Sequence, residues 1–510
     1  MMWIDWITAL LPILIMLLVM LRFQWSASRA GALGWFSAVT IGFIHFGLDG
    51  EILAWSQAKA FFLALDVLLI VWGAFFLYRV ADEAGSIELI RQWMPSLTND
   101  RGMQGLLIAW AFASFLQGVG GFGVPVAVTA PLLIGLGFSP LTAVVAPSIG
   151  HAWAVTFGSL ASSFQALIAA SGMTAEELAP LSALLLAIAG YACGIAVAAV
   201  MEGREGVTRL ALPIILMGTA MGAAQYAVVT NGLWNLGGMT AGLAGLLMGV
   251  LLSRFYPGSQ RPTPSTVRIN AGWAFFPYLL LIFLTLAVQF LPFLRSALST
   301  ITIQGSTPQL ETTLGFVTLP AEGKPIPLLR HAGAILASTA LVSYGVFRLK
   351  GQINNGGLRR IISDTVRKVM PSSMAIVAMV SMAVVMAHSG MTHALAAGLA
   401  SLAGVVFPFI SVWIGALGAF ITGSNTNSNF IFALLQRETA SILSLPVSLI
   451  LAAQTTGAAL GSIVSPTKVV VGASTTGLRG SEGKIIRVLM RYMLPMLVVM
   501  GMLVAGMVLL

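Results

Sequence analysis

Charged residues are scarce in this sequence. Asp, Glu, Lys and Arg make up 8% of its 510 residues, whereas hydrophobic residues make up 58%. A single soluble domain of this length needs a polar surface, and so few charges cannot provide one. Lipid must therefore surround most of the chain. The net charge of +9 would suggest a nucleic-acid partner in a soluble protein, but here the Lys and Arg residues lie in short loops between apolar runs. We expect no nucleic-acid partner.

Cysteine and catalytic motifs are also nearly absent. Cys193 is the one cysteine, and it lies inside the apolar run 181–200, which excludes a disulfide framework and a thiolate metal site. The sequence contains neither His-Glu-x-x-His nor Gly-x-Ser-x-Gly, and no pair of acids shares one helix face. We therefore predict a protein that is not an enzyme and that holds no metal or organic cofactor.

Apolar runs of spanning length recur along the whole chain. Twelve of them are long enough to cross a bilayer as full helices. They cover residues 4–21, 31–48, 59–78, 140–170, 178–201, 207–229, 232–253, 273–293, 331–348, 369–388, 446–471 and 492–510. The first run lacks a basic leader and a cleavage site, so we interpret it as a retained helix. The predicted fold class is an all-α polytopic membrane protein.

Two further apolar stretches, 103–137 and 406–436, are too long for one helix. A glycine-rich tip interrupts the first at residues 117–123, and a Ser/Asn-rich tip interrupts the second at residues 424–429. Irregular backbone at membrane depth is tolerated where it is buried in protein or lines a cavity. We predict that both stretches are re-entrant hairpins.

The distribution of Lys and Arg predicts the orientation, because cytoplasmic loops collect positive charge. If both termini are outside, most Lys and Arg residues fall on the cytoplasmic side. The inside segments are 22–29, 79–101, 204–209, 254–268, 348–368 and 479–491. With this orientation the two hairpins enter from opposite sides of the membrane.

Opposed hairpins predict an inverted repeat. An offset of 306 residues places Gly118–Gly123 on Ser424–Asn429 and Pro140 on Pro446, and a one-residue insertion then places Gly150 on Gly457. The predicted halves are 1–230, with the hairpin 103–137 and the broken helix 140–170, and 231–510, with the hairpin 406–436 and the broken helix 446–471.

The hairpin tips are the predicted substrate-binding segments, since interrupted helices in inverted repeats place binding sites near the membrane midplane. Glycines allow close backbone approach and leave N–H groups free for an anion. Side-chain amides and hydroxyls supply further hydrogen bonds. The first tip contributes Gln117, Gly118, Gly120, Gly121 and Gly123, and the second contributes Ser424, Asn425, Thr426, Asn427, Ser428 and Asn429.

Each hairpin is followed by a helix that contains a proline or a polar break. In the first half the break precedes His151, and in the second half it includes Thr455, Thr456, Ser465, Thr467 and Lys468. Lys468 is a lone cation in an apolar span, so it could bind a carboxylate, or it could reach interfacial water instead. His151 and Asp66, the one acid well inside a span, are the candidate sites for a coupling ion.

The two tips and their surroundings resemble the lactate permease family. The first half contains Gly-Phe-Gly-Val-Pro at 121–125, Ala-Pro-Leu-Leu at 130–133 and Gly-Phe-Ser-Pro at 137–140. The second half contains Thr-Gly-Ser-Asn-Thr-Asn-Ser-Asn at 422–429, Ser-Pro at 465–466 and Thr-Thr-Gly-Leu at 475–478. The resemblance implies a secondary transporter of lactate or a related 2-hydroxy monocarboxylate in the bacterial inner membrane, with protons as the coupling ion.

Ser424-Asn425-Thr426 is also similar to the hairpin tips of sodium-coupled dicarboxylate carriers, the divalent anion/sodium symporters of the ion transporter superfamily. Those carriers place two opposed hairpins in a mobile transport domain. The analogy implies an elevator-like motion of that domain against a scaffold.

The sequence departs from the lactate permease pattern at four positions. Gln117 and Asn425 replace expected acids at the tips, and His151 and Lys468 replace expected neutral residues. The exchanges make the site more cationic and leave sodium coupling, coupling through His151 and another small organic anion as alternatives.

Two other transport functions are alternatives, a cation/proton antiporter and a channel. A cation/proton antiporter of the same architecture would need carboxylates at the tips, which this chain lacks, and a channel would need a filter motif that is absent here. The expected partners are a small carboxylate and the lipid bilayer, and a second copy of the chain in a homodimer is a further candidate.

Overall fold

Helices form nearly all of the regular structure in the computed structural model, which describes residues 2–23, 25–93, 97–120, 123–256, 271–323, 325–478 and 481–509. Up to residue 256 the chain contains α1 (Met2–Phe23), α2 (Ala27–His45), α3 (Gly50–Glu83), α4 (Ser86–Trp93), α5 (Arg101–Gly105), α6 (Ala113–Val119), α7 (Val124–Gly135), α8 (Pro140–Gly150), α9 (Ser162–Ser171), α10 (Ala175–Arg209) and α11 (Ala211–Thr230), followed by α12 (Gly237–Ser253), the first helix of the predicted second half. The second half contains α13 (Ala271–Phe290), α14 (Pro292–Ala297), α15 (Ala332–Leu349), α16 (Gly357–His388), α17 (Met391–Ala403), α18 (Phe407–Thr422), α19 (Asn425–Ile442), α20 (Val447–Gly461), α21 (Pro466–Thr475) and α22 (Glu482–Leu509).

Many of these helices are suited to a membrane. In the described residues, 11 helical segments are long and apolar enough to cross a bilayer. Two shorter apolar helices, Ile4–Met20 and Trp273–Val288, coincide with the first and eighth predicted spans. The predicted fold class is confirmed: the chain is an all-α, multi-pass membrane protein.

Two elements differ from the hydropathy prediction. Residues 391–403 form α17, which packs between α1 and α19, although the sequence analysis assigned no element there. With 13 residues, this helix is too short for a span of its own, and it belongs to the spanning segment Met391–Thr422 together with α18. Residues 302–327 form a β-hairpin of three nested strand pairs, and its Thr313 N–H donates to Gly47 O at 3.0 Å, next to the start of α3. We call the side of the molecule that carries this hairpin the strand side.

The first predicted hairpin forms two helical arms. α5, a π-helical segment (Leu106–Phe112) and α6 make one continuous arm, and α7 makes the other. Gly123, at φ 85°, adopts the left-handed conformation that starts α7. π-helical turns occur often at functional sites. We call α5–α7 the first helical hairpin.

The second predicted hairpin consists of α18 and α19, and its second arm continues to Ile442, beyond the predicted end. Gly423, at φ 75°, ends α18. The Oγ of Ser424 then accepts a hydrogen bond from the N–H of Asn427 at 3.3 Å, which caps α19. We call α18–α19 the second helical hairpin.

Both predicted broken helices are interrupted, but the first break lies later than predicted, because Pro147 stays inside α8. α8 and α9 are separated by residues 151–161, in which Ser159, Leu160 and Ala161 all have positive φ angles. Each left-handed residue other than glycine costs about 1–2 kcal/mol. α20 and α21 are separated by residues 462–465, where Pro466 starts the second helix. Each broken helix therefore consists of two half-helices with free ends inside the protein.

The two halves use the same close contact between hairpin and broken helix. A Cβ on Gly150 would overlap the carbonyl oxygen of Ala109 in the first helical hairpin. A Cβ on Gly457 would likewise overlap the carbonyl oxygen of Val412 in the second. These two glycines are the pair that the one-residue insertion aligned, so the shared contact supports that alignment, while the domain boundaries remain a prediction.

We expect Gly457→Ala to destabilise the protein, because the added methyl group would displace α20 from α18. Overpacking of this kind costs about 1–3 kcal/mol. Gly345→Ala in α15 is the matched control, since no neighbouring group lies within 4 Å of the position that its methyl group would take. Thermal unfolding of the purified variants in detergent would measure the difference. An unchanged midpoint for Gly457→Ala would contradict the packing described here.

Candidate functional site

A cavity of about 320 Å³ lies where the two helical hairpins and the two broken helices meet. Its lining combines the tips of the hairpins with residues of the first break, the start of α9 and the first half of α21, and α3 and α16 contribute the facing wall. The lining residues are Ser26, Ala27, Ser28, Val71, Gln117, Gly123, Val155, Ser159, Ser162, Ser163, Pro371, Ser372, Ala375, Ile376, Thr422, Gly423, Ser424, Asn425, Thr426, Asn427, Lys468 and Val471. We call it the central cavity.

Four helices begin at the central cavity. Gly123 starts α7, Ser162 and Ser163 start α9, residues 424–427 start α19, and Lys468 lies in the first turn of α21. The first N–H groups of a helix have no partner within the helix, and the aligned peptide dipoles make this end positive. A helix N-terminus is therefore a ready anion site, and four of them converge here.

Side-chain charge adds to this positive potential. Lys468 is the one charged residue among the described residues that line the central cavity. Its Nζ donates to Ser462 Oγ at 2.9 Å, and no carboxylate in the described part of the chain forms an ion pair with it. A lysine ammonium has three N–H groups. Lys468 therefore keeps donors for a ligand.

Asn425 ties the second tip to the first break. Its Nδ2 donates to Thr156 Oγ1 at 3.0 Å and to Thr455 O at 3.4 Å. Thr156 Oγ1 also lies 3.1 Å from Thr455 Oγ1. These three buried residues come from the second hairpin, the first broken helix and the second broken helix. The site is therefore built from both halves of the chain.

A second set of bonds reinforces this junction. Asn429 Nδ2 donates to Ser163 O at 2.9 Å and to Thr455 Oγ1 at 3.1 Å. The hydroxyls of Ser163 and Thr426 are 3.0 Å apart. A polar network in which every member is hydrogen-bonded holds its side chains in one geometry. The start of α9 is thereby fixed against the start of α19.

Asn427 offers an unused polar group to the central cavity. Its Oδ1 is buried and has no hydrogen-bond partner among the described residues. An unpaired buried polar atom costs about 1–3 kcal/mol. Such a cost is recovered when a ligand supplies the missing bond. The amide could accept from a hydroxyl or, turned over, donate to an anion.

The structure places seven of the predicted substrate-binding residues on the central cavity. They are Gln117, Gly123, Ser424, Asn425, Thr426, Asn427 and Lys468. Gly121 lies outside the described residues, as does the side chain of Thr467. The other predicted residues do not line the cavity: Gly118, Gly120, His151, Ser428, Asn429, Thr455, Thr456 and Ser465.

Physical reasons account for several of these absences. Gly118 packs against the backbone of Met239 in α12, so its lack of a side chain serves helix contact. The ring Nδ1 of His151 lies 2.6 Å from Pro147 O in the preceding turn of α8, and the side chain is 2% exposed. Ser428 donates to Gly415 O at 2.8 Å, behind the tip.

The sequence analysis missed the polar residues of the first break. Ser159, Ser162 and Ser163 line the central cavity, and Thr156 lies directly behind Asn425. The signal was present as a serine-rich stretch, 158–163, in the middle of the predicted span 140–170. A hydropathy scan averages such a stretch into its apolar surroundings.

Asp66 lies on α3, outside the central cavity, in a polar contact of its own. Its Oδ1 is 2.8 Å from His331 Nε2, and its other oxygen accepts a hydrogen bond from Gln165 of α9. His331 Nδ1 accepts a hydrogen bond from the N–H of Gly333 at 3.2 Å, so the hydrogen of the neutral ring is on Nε2. Nε2 therefore donates a hydrogen bond to the Asp66 carboxylate. The carboxylate thus joins α3, the start of α15 and the first broken helix.

The fold is that of a multi-pass membrane protein, and the central cavity is its candidate binding site. A model of the L-lactate permease family matches residues 5–510, so the chain belongs to that family. It is 26% identical to the glycolate permease GlcA of Escherichia coli (strain K12), over 97% of this chain and 94% of that protein. It is 28% identical to the L-lactate permease of Bacillus subtilis (strain 168), over 84% of this chain and 82% of that protein.

These relatives are named permeases, which are transporters and not enzymes. Among solved structures, the YdaH transporter of Alcanivorax borkumensis matches with a TM-score of 0.48 and 15% identity, over 90% of this chain and 87% of that chain.

We expect Asn425→Ala to weaken substrate binding about 5- to 150-fold, because it removes the amide that joins the second tip to Thr156 and Thr455. Loss of one buried hydrogen-bonding partner costs about 1–3 kcal/mol. Asn231→Ala is the control, since this exposed amide, at the end of α11, bonds Ala227 O and no other group in the described part of the chain. Binding to detergent-purified protein would be measured by isothermal titration calorimetry. Equal affinities of Asn425→Ala and wild type would exclude Asn425 from the site.

Proposed function

We propose that this protein carries lactate, or a related small 2-hydroxy monocarboxylate, across the bacterial inner membrane as a proton symporter. One observation carries the proposal: four helix N-termini and Lys468 line one cavity that has no carboxylate among its described lining residues. The names of the relatives, lactate and glycolate permeases, support the same class of substrate.

The chemistry of the central cavity suits a hydroxylated carboxylate. Free helix N–H groups and the Lys468 ammonium supply donors to the carboxylate, and bonds to a charged group are the stronger ones. The neighbouring hydroxyls and amides, such as Ser162, Gln117 and Asn427, both donate and accept, as a 2-hydroxyl group requires. The volume of about 320 Å³ is at the small end of ligand pockets.

We propose that both termini lie outside and that the strand side faces outward. The start of α2 lines the central cavity, and the flanking Arg22 and Arg29 fall in a predicted inside segment. The cavity then represents the inward-facing state. Alternating access would move the two hairpins and broken helices, as a re-entrant transport domain, against a scaffold that contains α3 and α16.

Asp66 is the coupling site that we propose for the proton. Asp66 forms a buried carboxylate–imidazole pair with His331. Asp66 also lines a small cavity on the strand side, together with Glu322 of the β-hairpin. Its second oxygen bonds Gln165, two residues from Ser163 in the central cavity. Protonation of Asp66 would weaken this contact and release α9 from α3. His151 is less suitable, because it is packed against Pro147 O.

A sodium-coupled carrier of another small organic anion is the second candidate. The observation that favours it is the uncharged, oxygen-rich second tip, Ser424 to Asn429, since sodium binds hydroxyl, amide and backbone oxygens. A cation/proton antiporter is disfavoured by the positive potential of the central cavity.

We expect Lys468→Gln to raise the half-saturating lactate concentration about 10- to 100-fold, which corresponds to one lost charge-assisted hydrogen bond. Lys484→Gln is the control, because it removes the same charge at an exposed position of α22, away from the cavity. It should leave the half-saturating lactate concentration unchanged. The measurement is radiolabelled L-lactate uptake into proteoliposomes under a proton gradient, then under a sodium gradient. Absence of uptake by folded wild type under both gradients would remove lactate as the substrate.

We expect Asp66→Asn to separate transport from its driving force. The variant should lose uptake driven by a proton gradient, because its side chain cannot be protonated, yet retain exchange of internal lactate for external lactate. Asp49→Asn is the control, because an amide can keep the helix cap that Asp49 makes with the N–H of Ile52. Net uptake against a gradient and exchange at equal concentrations are measured side by side. Proton-driven accumulation by Asp66→Asn would exclude this residue as the coupling site.

A further inference from the structure

A second cavity, of about 130 Å³, lies on the same helices as the central cavity but closer to the strand side. It is bounded by α3, α9, α16 and α19. Lys59 and Arg437 line it, and no acid occurs among its described lining residues. We call it the upper cavity. Two cations without a lining carboxylate favour an anion there.

Lys59 has hydrogen-bond donors to spare. Its Nζ lies 3.3 Å from His388 Nε2, and since an ammonium only donates, the ring nitrogen is the acceptor. His388 Nδ1 then carries the proton and donates to Ser56 Oγ at 3.0 Å. The neutral imidazole holds Lys59 without neutralising it. Lys59 also borders the small cavity that contains Asp66 and Glu322, but forms no ion pair with either within the described residues.

Arg437 also keeps most of its donors. Its Nη1 donates to Ser171 O at 2.5 Å, which ties α19 to the end of α9. A guanidinium has five N–H groups in a planar fork that matches a carboxylate. Glu177 and Glu438 interact electrostatically with Arg437, but neither forms an ion pair with it within the described residues and neither lines the upper cavity. Glu438 lies 3.8 Å from His393 of α17 instead.

The upper and central cavities follow the same two helices. Along α16, residues 371–376 line the central cavity and residues 380–387 line the upper one. Along α19, residues 425–427 line the central cavity, and Phe430, Leu434 and Arg437 line the upper one. The two cavities are therefore successive chambers along one interface.

An apolar contact separates these chambers. Phe430, Val380, Ile376 and Ala166 belong to one buried cluster, and Phe430 is 1% exposed. The cluster contains residues of α3, α9, α16 and α19, which are the helices that bound the upper cavity. An anion cannot cross such a contact without losing its hydration, so the contact closes the passage in this conformation.

We propose that the upper cavity is a second carboxylate-binding site, which receives the substrate from the strand side before the apolar contact opens. Lys59 supplies one cation from the proposed scaffold, and Arg437 supplies another from the proposed mobile part. The identity of the ligand in this second site rests on the proposed function. The charge, the spare donors and the position of the cavity are independent of that function.

The first test measures transport from each side of the membrane. Lys59→Gln and Arg437→Gln are assayed in right-side-out and inside-out vesicles. Each should raise the half-saturating L-lactate concentration several-fold for entry from the strand side, with little change for entry from the opposite side. Arg295→Gln, an exposed cation of α14, is the control. Equal kinetic constants of the variants and wild type from both sides would overturn the proposal.

The second test does not depend on transport. Cys193→Ser removes the one cysteine, and Ala387→Cys then places a thiol in the upper cavity. An anionic thiol reagent should react faster than a neutral one of similar size, L-lactate should slow the reaction, and Lys59→Gln with Arg437→Gln should remove both effects. Labelling that lactate does not slow would overturn the second site, even if uptake shows that the proposed function holds. Lactate protection without any lactate uptake would retain the site and reject the proposed function.

Discussion

Backbone polar groups inside a bilayer need a partner, and this constraint underlies the arrangement of the whole protein. Two interrupted helices and two hairpin turns leave free N–H and C=O groups at membrane depth, where lipid supplies no hydrogen bonds. The fold brings all four interruptions together, so that the free groups face one another or a shared cavity. Because four of the ends are helix N-termini, the cavity they form is positive. The affinity for an anion that we propose would thus follow from the way the chain satisfies its own backbone.

The polar network around Asn425 has a structural role and a role at the site. It joins the second hairpin to Thr156 and Ser163 of the first broken helix, and Thr455 of the second broken helix lies between them. The hairpins and broken helices of both halves are therefore joined at the central cavity, as the proposed movement in one body requires. Asp66 and Arg437 lie at the edge of this joined unit, where α9 and α19 meet α3 and α16. A change at Asp66 alters a contact across the surface at which the proposed movement occurs, whereas Arg437 bonds Ser171 within the unit and faces that surface through the upper cavity.

Several features could be predicted because they depend on local composition. The positions of the apolar runs, the two tips and the second break at Pro466 follow from hydropathy and from glycine, proline and asparagine positions, whereas the first break, 151–161, contains no proline. Other features could not. The pairing of Asp66 with His331 joins residues 265 positions apart, and nothing near His331 in the sequence marks it as more than a residue at a span end. α17 is too short for a hydropathy scan, and the β-hairpin at 302–327 consists of two-residue strands.

The sequence by itself determined that the chain is a polytopic membrane protein with two long apolar stretches, each interrupted by a tip. Residue type alone sets whether a segment favours lipid and where a helix must break. Only the tertiary structure decided which polar residues share a cavity. Gln117, Ser162, Asn425 and Lys468 are far apart in the chain and meet at one cavity, whereas His151 and Gly118 lie near the same tips and face helix contacts instead. The physical reason is that the direction of a side chain depends on how half-helices pack against each other, and packing is a property of the whole fold.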